Sequence, residues 1–246
     1  SNQYKNIVKN NDENYLYDKF KRTEHHLDNF NHLPFLFGES NYIKNDKKSD
    51  KYDVKGYQFH CTLFADVFSG SVGVTSFWAW RRIEDKNFFH HYIPVSKFIK
   101  NLNFSNSDYS YHFKKESDYS LTYMNSDNGK LIAGWAQDEK YRYNHFLDDT
   151  LEKSYLSTFD ELNPIDKPDD PFLNNNILTL EGLISGIYDL KWYNSVTGEE
   201  IQDEREEIQV QSHNEGENKV DILIPSSVKT PYGDVLFILE YNEQKN

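Results

Sequence analysis

The sequence is poor in sulfur, with one cysteine and one methionine in 246 residues. Cys61 has no partner with which to close a disulfide inside the chain, so stability must come from packing. It lies in an apolar stretch and reads as a small core residue, not as a nucleophile. Long hydrophobic runs are also lacking. None approaches the roughly 20 apolar residues that a membrane-crossing helix needs, so no membrane span is expected. Positive charge is scarce: 27 Lys and Arg stand against 40 Asp and Glu, a formal net charge of −13. Such a surface repels phosphate backbones and anionic lipid, which removes nucleic acid from the expected partners. The first residues lack the charged-then-apolar pattern of a secretory signal. The natural polypeptide is expected to begin upstream of Ser1.

Aromatic side chains are abundant, at 16% of the chain, with 18 Tyr, 17 Phe and 4 Trp. Rings bury large apolar areas, so a packed core is expected and global disorder is not.

Leu16, Phe20, Thr23, Leu27 and Phe30 recur at helical spacing and predict an amphipathic helix over 12–31. Leu33-Pro34 ends it. Phe35-Leu36-Phe37 is a short continuous apolar run of the kind found in strands buried on both faces, and Gly38-Glu39 ends it with a carboxylate. Tyr57, Cys61, Phe64 and Phe68 predict a second helix over 53–69. Val74 to Trp80 reads as a second buried strand. Pro94 suits the first turn of a third helix carrying Val95, Phe98, Ile99 and Leu102. Helix, strand, helix, strand, helix within about 100 residues predicts α/β structure with parallel strands.

Beyond residue 105 the period changes to two. Tyr119 to Met124 and Lys130 to Gln137 alternate across Ser126-Asp127-Asn128-Gly129, a hairpin pattern. Residues 138–175 form a long polar interruption with three prolines. Strands are expected again at 177–180, 186–193, 207–211, 219–224 and 235–241. Short strands at this spacing predict an antiparallel β-sandwich.

Several of these segments carry a resemblance. HLPFLFGES resembles the seventh barrel strand of retaining glycoside hydrolases of the cellulase/mannanase superfamily, whose closing Glu is the nucleophile. FHCTLFADVFSGSVGVTSFWAW resembles the helix and eighth strand that follow, and HHYIPVSKFIKNLNF the last barrel helix. LIAGWAQD, GLISGIYDLKWYNSVTGEEI and YGDVLFILE resemble the small β-domain that closes such enzymes. The resemblance spans roughly residues 15–240. It implies α/β plus β architecture: a partial (β/α)8 (TIM) barrel segment, residues 1–105, followed by an antiparallel β-sandwich, residues 106–246. It implies Glu39 as nucleophile and Trp78, Trp80 and His60 near bound sugar, with Tyr141 and Tyr143 of the long loop reaching the same ligand. Carbohydrate is then the expected partner. No cofactor or metal is expected, and a secreted or periplasmic location is implied.

The sequence also departs from the family pattern. Leu33 stands where a Lys precedes the proline, and Asn194 where an Asp follows Trp192-Tyr193. A retaining mechanism needs a second carboxyl about 5–5.5 Å from the first, as acid and base. In the family it lies on an upstream strand. Asn214-Glu215 and Asn242-Glu243 fall in the β-domain, and no strand precedes Glu13. The chain is therefore expected to be inactive alone, with the missing N-terminal barrel portion supplied by the same or a separate chain. The competing class is a non-catalytic carbohydrate-binding or structural module.

Plainer readings compete for each residue. Glu39 also fits an ordinary loop carboxylate, and Trp78 and Trp80 fit core aromatics. Tyr141 and Tyr143 fit a solvated loop. Neighbouring residues point apart, so neither His25-His26 nor His90-His91 predicts a shared metal. Trp135 and Trp192 read as sandwich core. The acidic run 199–207 reads as a solvated hairpin without a calcium-loop pattern.

Overall fold

The computed structural model describes residues 15–30, 36, 39–40, 56–71, 73–74, 76–77, 80–102, 109–126, 128–138, 176–211, 218–226, 228 and 232–245. Helices α1 (Tyr15–Phe30) and α2 (Tyr57–Phe68) form where the apolar spacing predicts them. A short α3 (Trp80–Asp85) follows, then a 3₁₀ turn (Phe88–His91) leading into α4 (Tyr92–Ile99). Pro94 lies in the first turn of α4, where its missing N–H costs no helical bond. Two short strands, β1 (Glu39–Ser40) and β2 (Ser76–Phe77), pair in parallel.

The remaining strands are β3 (Tyr109–Lys115), β4 (Tyr119–Ser126), β5 (Leu131–Asp138), β6 (Ile177–Leu183), β7 (Gly186–Tyr193), β8 (Glu206–Val210), β9 (Asn218–Leu223) and β10 (Asp234–Tyr241). They build a six-stranded sheet in the order β3-β4-β5-β10-β7-β8 and a two-stranded sheet, β6-β9. All their pairings are antiparallel.

The architecture overturns the expected barrel segment followed by a sandwich. Among the described residues the fold is β-rich, with eight antiparallel strands in two sheets and few helices, and shows no alternating strand–helix barrel pattern. The barrel expectation rested on the short apolar runs 35–37 and 74–80, and so short a run does not report whether it is paired or covered. A longer run means burial on both faces, and an antiparallel sheet covered on both faces produces it as well as a parallel one. Val235, Phe237 and Leu239 of β10 join one core cluster, with Leu178, Leu180 and Ile222 of the small sheet. Leu236 and Ile238 point the other way, into a second cluster with Phe59, Phe64 and Phe68 of α2 and Val95 and Phe98 of α4. Among the described residues of the VTSFWAW stretch, expected as one strand, Ser76 and Phe77 pair with β1, and Trp80 is already helical.

The central sheet is thus sandwiched between helices and a two-stranded sheet, and one core runs across residues from both halves of the chain. Complete burial of a Phe or Leu contributes about 1.5–3 kcal/mol each. Phe64, Phe68, Phe98, Met124 and Trp135 are all fully buried where helices meet sheet. Trp135 is a core residue of this helix-facing layer; Trp192 lies in the layer facing β6-β9.

Two glycines permit close approaches. Gly134 of β5 is the cross-strand partner of Phe237, and a Cβ there would meet the Phe237 ring at 2.2 Å. Gly198, at φ +68°, lets the turn after β7 lie on α4, where a Cβ would meet the Pro94 backbone at 2.6 Å. The Lys97–Glu199 ion pair, 2.7 Å, bridges the same helix and turn.

Candidate functional site

The parallel pair β1-β2 sets Glu39 level with Ser76 and Ser40 level with Phe77. Glu39 is the first residue of β1 and Ser76 the first of β2, so among the described residues Glu39 opens the pair and does not close it, contrary to its expected place at a strand end. Trp78 follows Phe77 directly in the sequence, and its structure lies outside the described residues, as do Tyr141 and Tyr143. Trp80 is the first residue of α3. Backbone pairing therefore brings the Glu39 strand beside the strand that leads to Trp78, two residues past Ser76.

His60, expected near the ligand, is in the first turn and a half of α2 and wholly buried. Its Nε2 lies 2.9 Å from Asp234 Oδ2, at the start of β10. Asp234 is the centre of a fully buried polar cluster. Trp135 Nε1 of β5 donates to Oδ2 at 2.7 Å, and Ser195 Oγ of the turn after β7 donates to Oδ1 at 2.6 Å. Helix α2, two strands and a turn thus converge on one carboxylate. Burial pushes that carboxyl upward, but the His60 charge and the hydrogen bonds from His60, Ser195 and Trp135 outweigh it and hold it below the usual carboxylate range. Ser195 contacts the carboxylate, not the imidazole, and has no exposed surface. The trio is a clasp between layers and lacks the serine–histidine contact that nucleophile activation requires.

A second buried pair ties the helices together. Lys19 of α1 donates to Asp66 of α2, and both side chains are almost fully enclosed. Gln137 Nε2 of β5 donates to Cys61 Sγ at 3.0 Å, which fixes the lone thiol in the α2–sheet interface. Among the described residues no group of three or more His, Cys, Asp or Glu side chains is arranged to hold a metal ion.

Asp234 and Ser195 escape a sequence-based reading. Asp234 opens the apolar run VLFILE directly after a Tyr-Gly turn, and a charge at the mouth of a buried strand is the local sign of a committed partner. Ser195 carries no comparable sign. No helix among the described residues is long and apolar enough to cross a membrane. No protein-family model matches this chain, and no curated protein sequence matches it.

Proposed function

We propose that the chain is the C-terminal part of a retaining glycoside hydrolase acting on a polysaccharide or oligosaccharide, with Glu39 as nucleophile. The observation that carries this reading is the parallel register of β1 with β2, which sets the Glu39 strand beside the strand running into Trp78. The motif order in the sequence supports it independently. Glu39 attacks the anomeric carbon, the glycosidic bond breaks, and a glycosyl ester forms. A second carboxyl, from further polypeptide of the same or a separate chain, protonates the leaving oxygen and then draws a proton from the incoming water. Trp78 and Trp80 offer ring faces to the sugar. The acidic surface suits a neutral glycan and not nucleic acid, and a polymeric substrate implies work in a secreted or periplasmic setting.

Glu39→Gln in the full native polypeptide tests the reading. Activity should fall to near background, and azide added to Glu39→Gly should restore turnover while giving a glycosyl azide of the opposite anomeric configuration. Unchanged activity in Glu39→Gln would end the proposal. A second reading, a non-catalytic carbohydrate-binding or structural module, draws on the core shared between helices and sheet. Glycan binding that survives Glu39→Ala but is lost in Trp80→Ala would favour it.

A further inference from the structure

Asn-Gly occurs once in the chain, at Asn128-Gly129 in the turn between β4 and β5. An asparagine before a glycine is chemically labile. The glycine amide nitrogen can close a five-membered ring on the side-chain carbonyl carbon, and no Cβ stands in its way. Asn128 is exposed, so water and base reach it.

The folded turn holds the reacting groups in place. Gly129, at φ +65°, donates its N–H to Ser126 O at 2.7 Å. Asn128 Oδ1 accepts from Ser126 Oγ at 2.8 Å and from Lys130 N at 3.1 Å. Gly129 O accepts from Tyr188 Oη at 2.7 Å, which anchors the turn on β7. Ring closure requires Gly129 N to lose its proton and the Asn128 carboxamide to swing onto that nitrogen. These movements break the bonds to Ser126 and Lys130. Local opening of the turn releases them together.

We propose that Asn128 is a self-modifying site, gated by opening of the β4–β5 turn, at which the amide is converted one way into isoaspartate. Gly129 N gives its proton to solvent base and attacks Asn128 Cγ. The new N–C bond forms, the bond from Cγ to the side-chain nitrogen breaks, and that nitrogen takes a proton from water and leaves as ammonia. Water then opens the cyclic imide. Attack at the backbone carbonyl of residue 128 yields isoaspartate, and attack at Cγ yields aspartate. One water is consumed, one ammonia is released, and nothing is oxidised or reduced. Isoaspartate runs the chain through the side-chain carbons and adds one atom to the backbone. The lengthened turn cannot return Gly129 N to Ser126 O and Gly129 O to Tyr188 together, so the opened turn does not close as before.

Peptide mass mapping of the whole chain, aged at mildly alkaline pH with and without urea, tests the site. In urea Asn128 should convert ahead of Asn194, which precedes Ser195. Without urea, conversion at Asn128 should be slower by about tenfold or more, because the fraction of open turn sets its rate. Ser126→Ala, which removes one hold on Oδ1, should raise the folded rate several-fold and leave the rate in urea unchanged. The isoaspartate form should unfold at a lower temperature than Asn128→Asp, which keeps the backbone length. Equal rates with and without urea, Asn194 converting first in urea, an unchanged folded rate in Ser126→Ala, or an isoaspartate form as stable as Asn128→Asp would overturn the proposal. If Ser126→Ala does not fold, the wild-type rates and the isoaspartate form decide.

Discussion

His60 and Asp234 stand 174 positions apart in sequence and 2.9 Å apart in space, both without exposed surface, so a single contact ties α2 to the first residue of β10. Asp234→Asn keeps the shape and removes the charge that His60 faces. Breaking one side of a buried, hydrogen-bonded pair costs about 3–5 kcal/mol. Urea unfolding should show a loss of that order, and His60→Gln combined with Asp234→Asn should lose less than the two single changes summed.

The same carboxyl sets an acid limb of stability. Its folded value is depressed below the ordinary one, so in the unfolded chain it takes up a proton first as pH falls. Its contribution is fully present above the unfolded value of about 3.9 and is lost as pH drops through the lower folded value. The stability gap between wild type and Asp234→Asn should hold from neutrality to about pH 4 and close below it. A gap that stays constant to pH 2 would contradict the assignment.

At the alkaline end three phenols act together. Burial pushes Tyr111, Tyr188 and Tyr193 up to about 12. Tyr188 also donates to Gly129 O at 2.7 Å, so ionising it breaks a bond that pins the β4–β5 turn. The unfolded chain loses these protons near pH 10, before the folded one does. Stability should therefore fall as pH rises from about 10 to 12. Phenolate absorbance should show a late-titrating group of tyrosines that reverts to ordinary titration in denaturant.

Gly134→Ala should destabilise the sheet through sterics alone. The added methyl would meet Phe237 Cζ at 2.2 Å, and that ring is locked between β5 and β7 against Trp192. Overpacking of this kind costs about 1–3 kcal/mol. Thermal unfolding should show the loss, and Gly134→Ala with Phe237→Leu should recover part of it.

What could be read from the sequence followed how local each signal is. Helices α1, α2 and α4 repeat their apolar residues every three or four positions and were legible, as was the β4–β5 hairpin. Strand β3 alternates Tyr109, Tyr111 and Phe113 but is threaded with Ser, His and Lys, which hid it. Helix α3 was masked by the aromatic run that precedes it. The barrel expectation rested on the short apolar runs 35–37 and 74–80, and so short a run does not report whether it is paired or covered. Leu36 lies outside any strand and is 53% exposed, and β1 and β2 are two residues each, whereas VLFILE, expected in the sandwich, is the well-covered strand β10. Of the candidate site, Glu39 stands on its motif alone, and the structure places it at the start of β1, level with Ser76. His60 was legible as special but not in its role, since nothing near it in sequence points to Asp234.

The most direct measurement is covalent trapping. Treating the full native polypeptide with 2-deoxy-2-fluoroglycosides bearing a dinitrophenyl leaving group, which departs without acid assistance, stalls a retaining enzyme at its glycosyl ester. Peptide mass mapping should then find one adduct, on Glu39, and none in Glu39→Gln. An adduct on another carboxylate, or hydrolysis that persists in Glu39→Gln, would contradict the account.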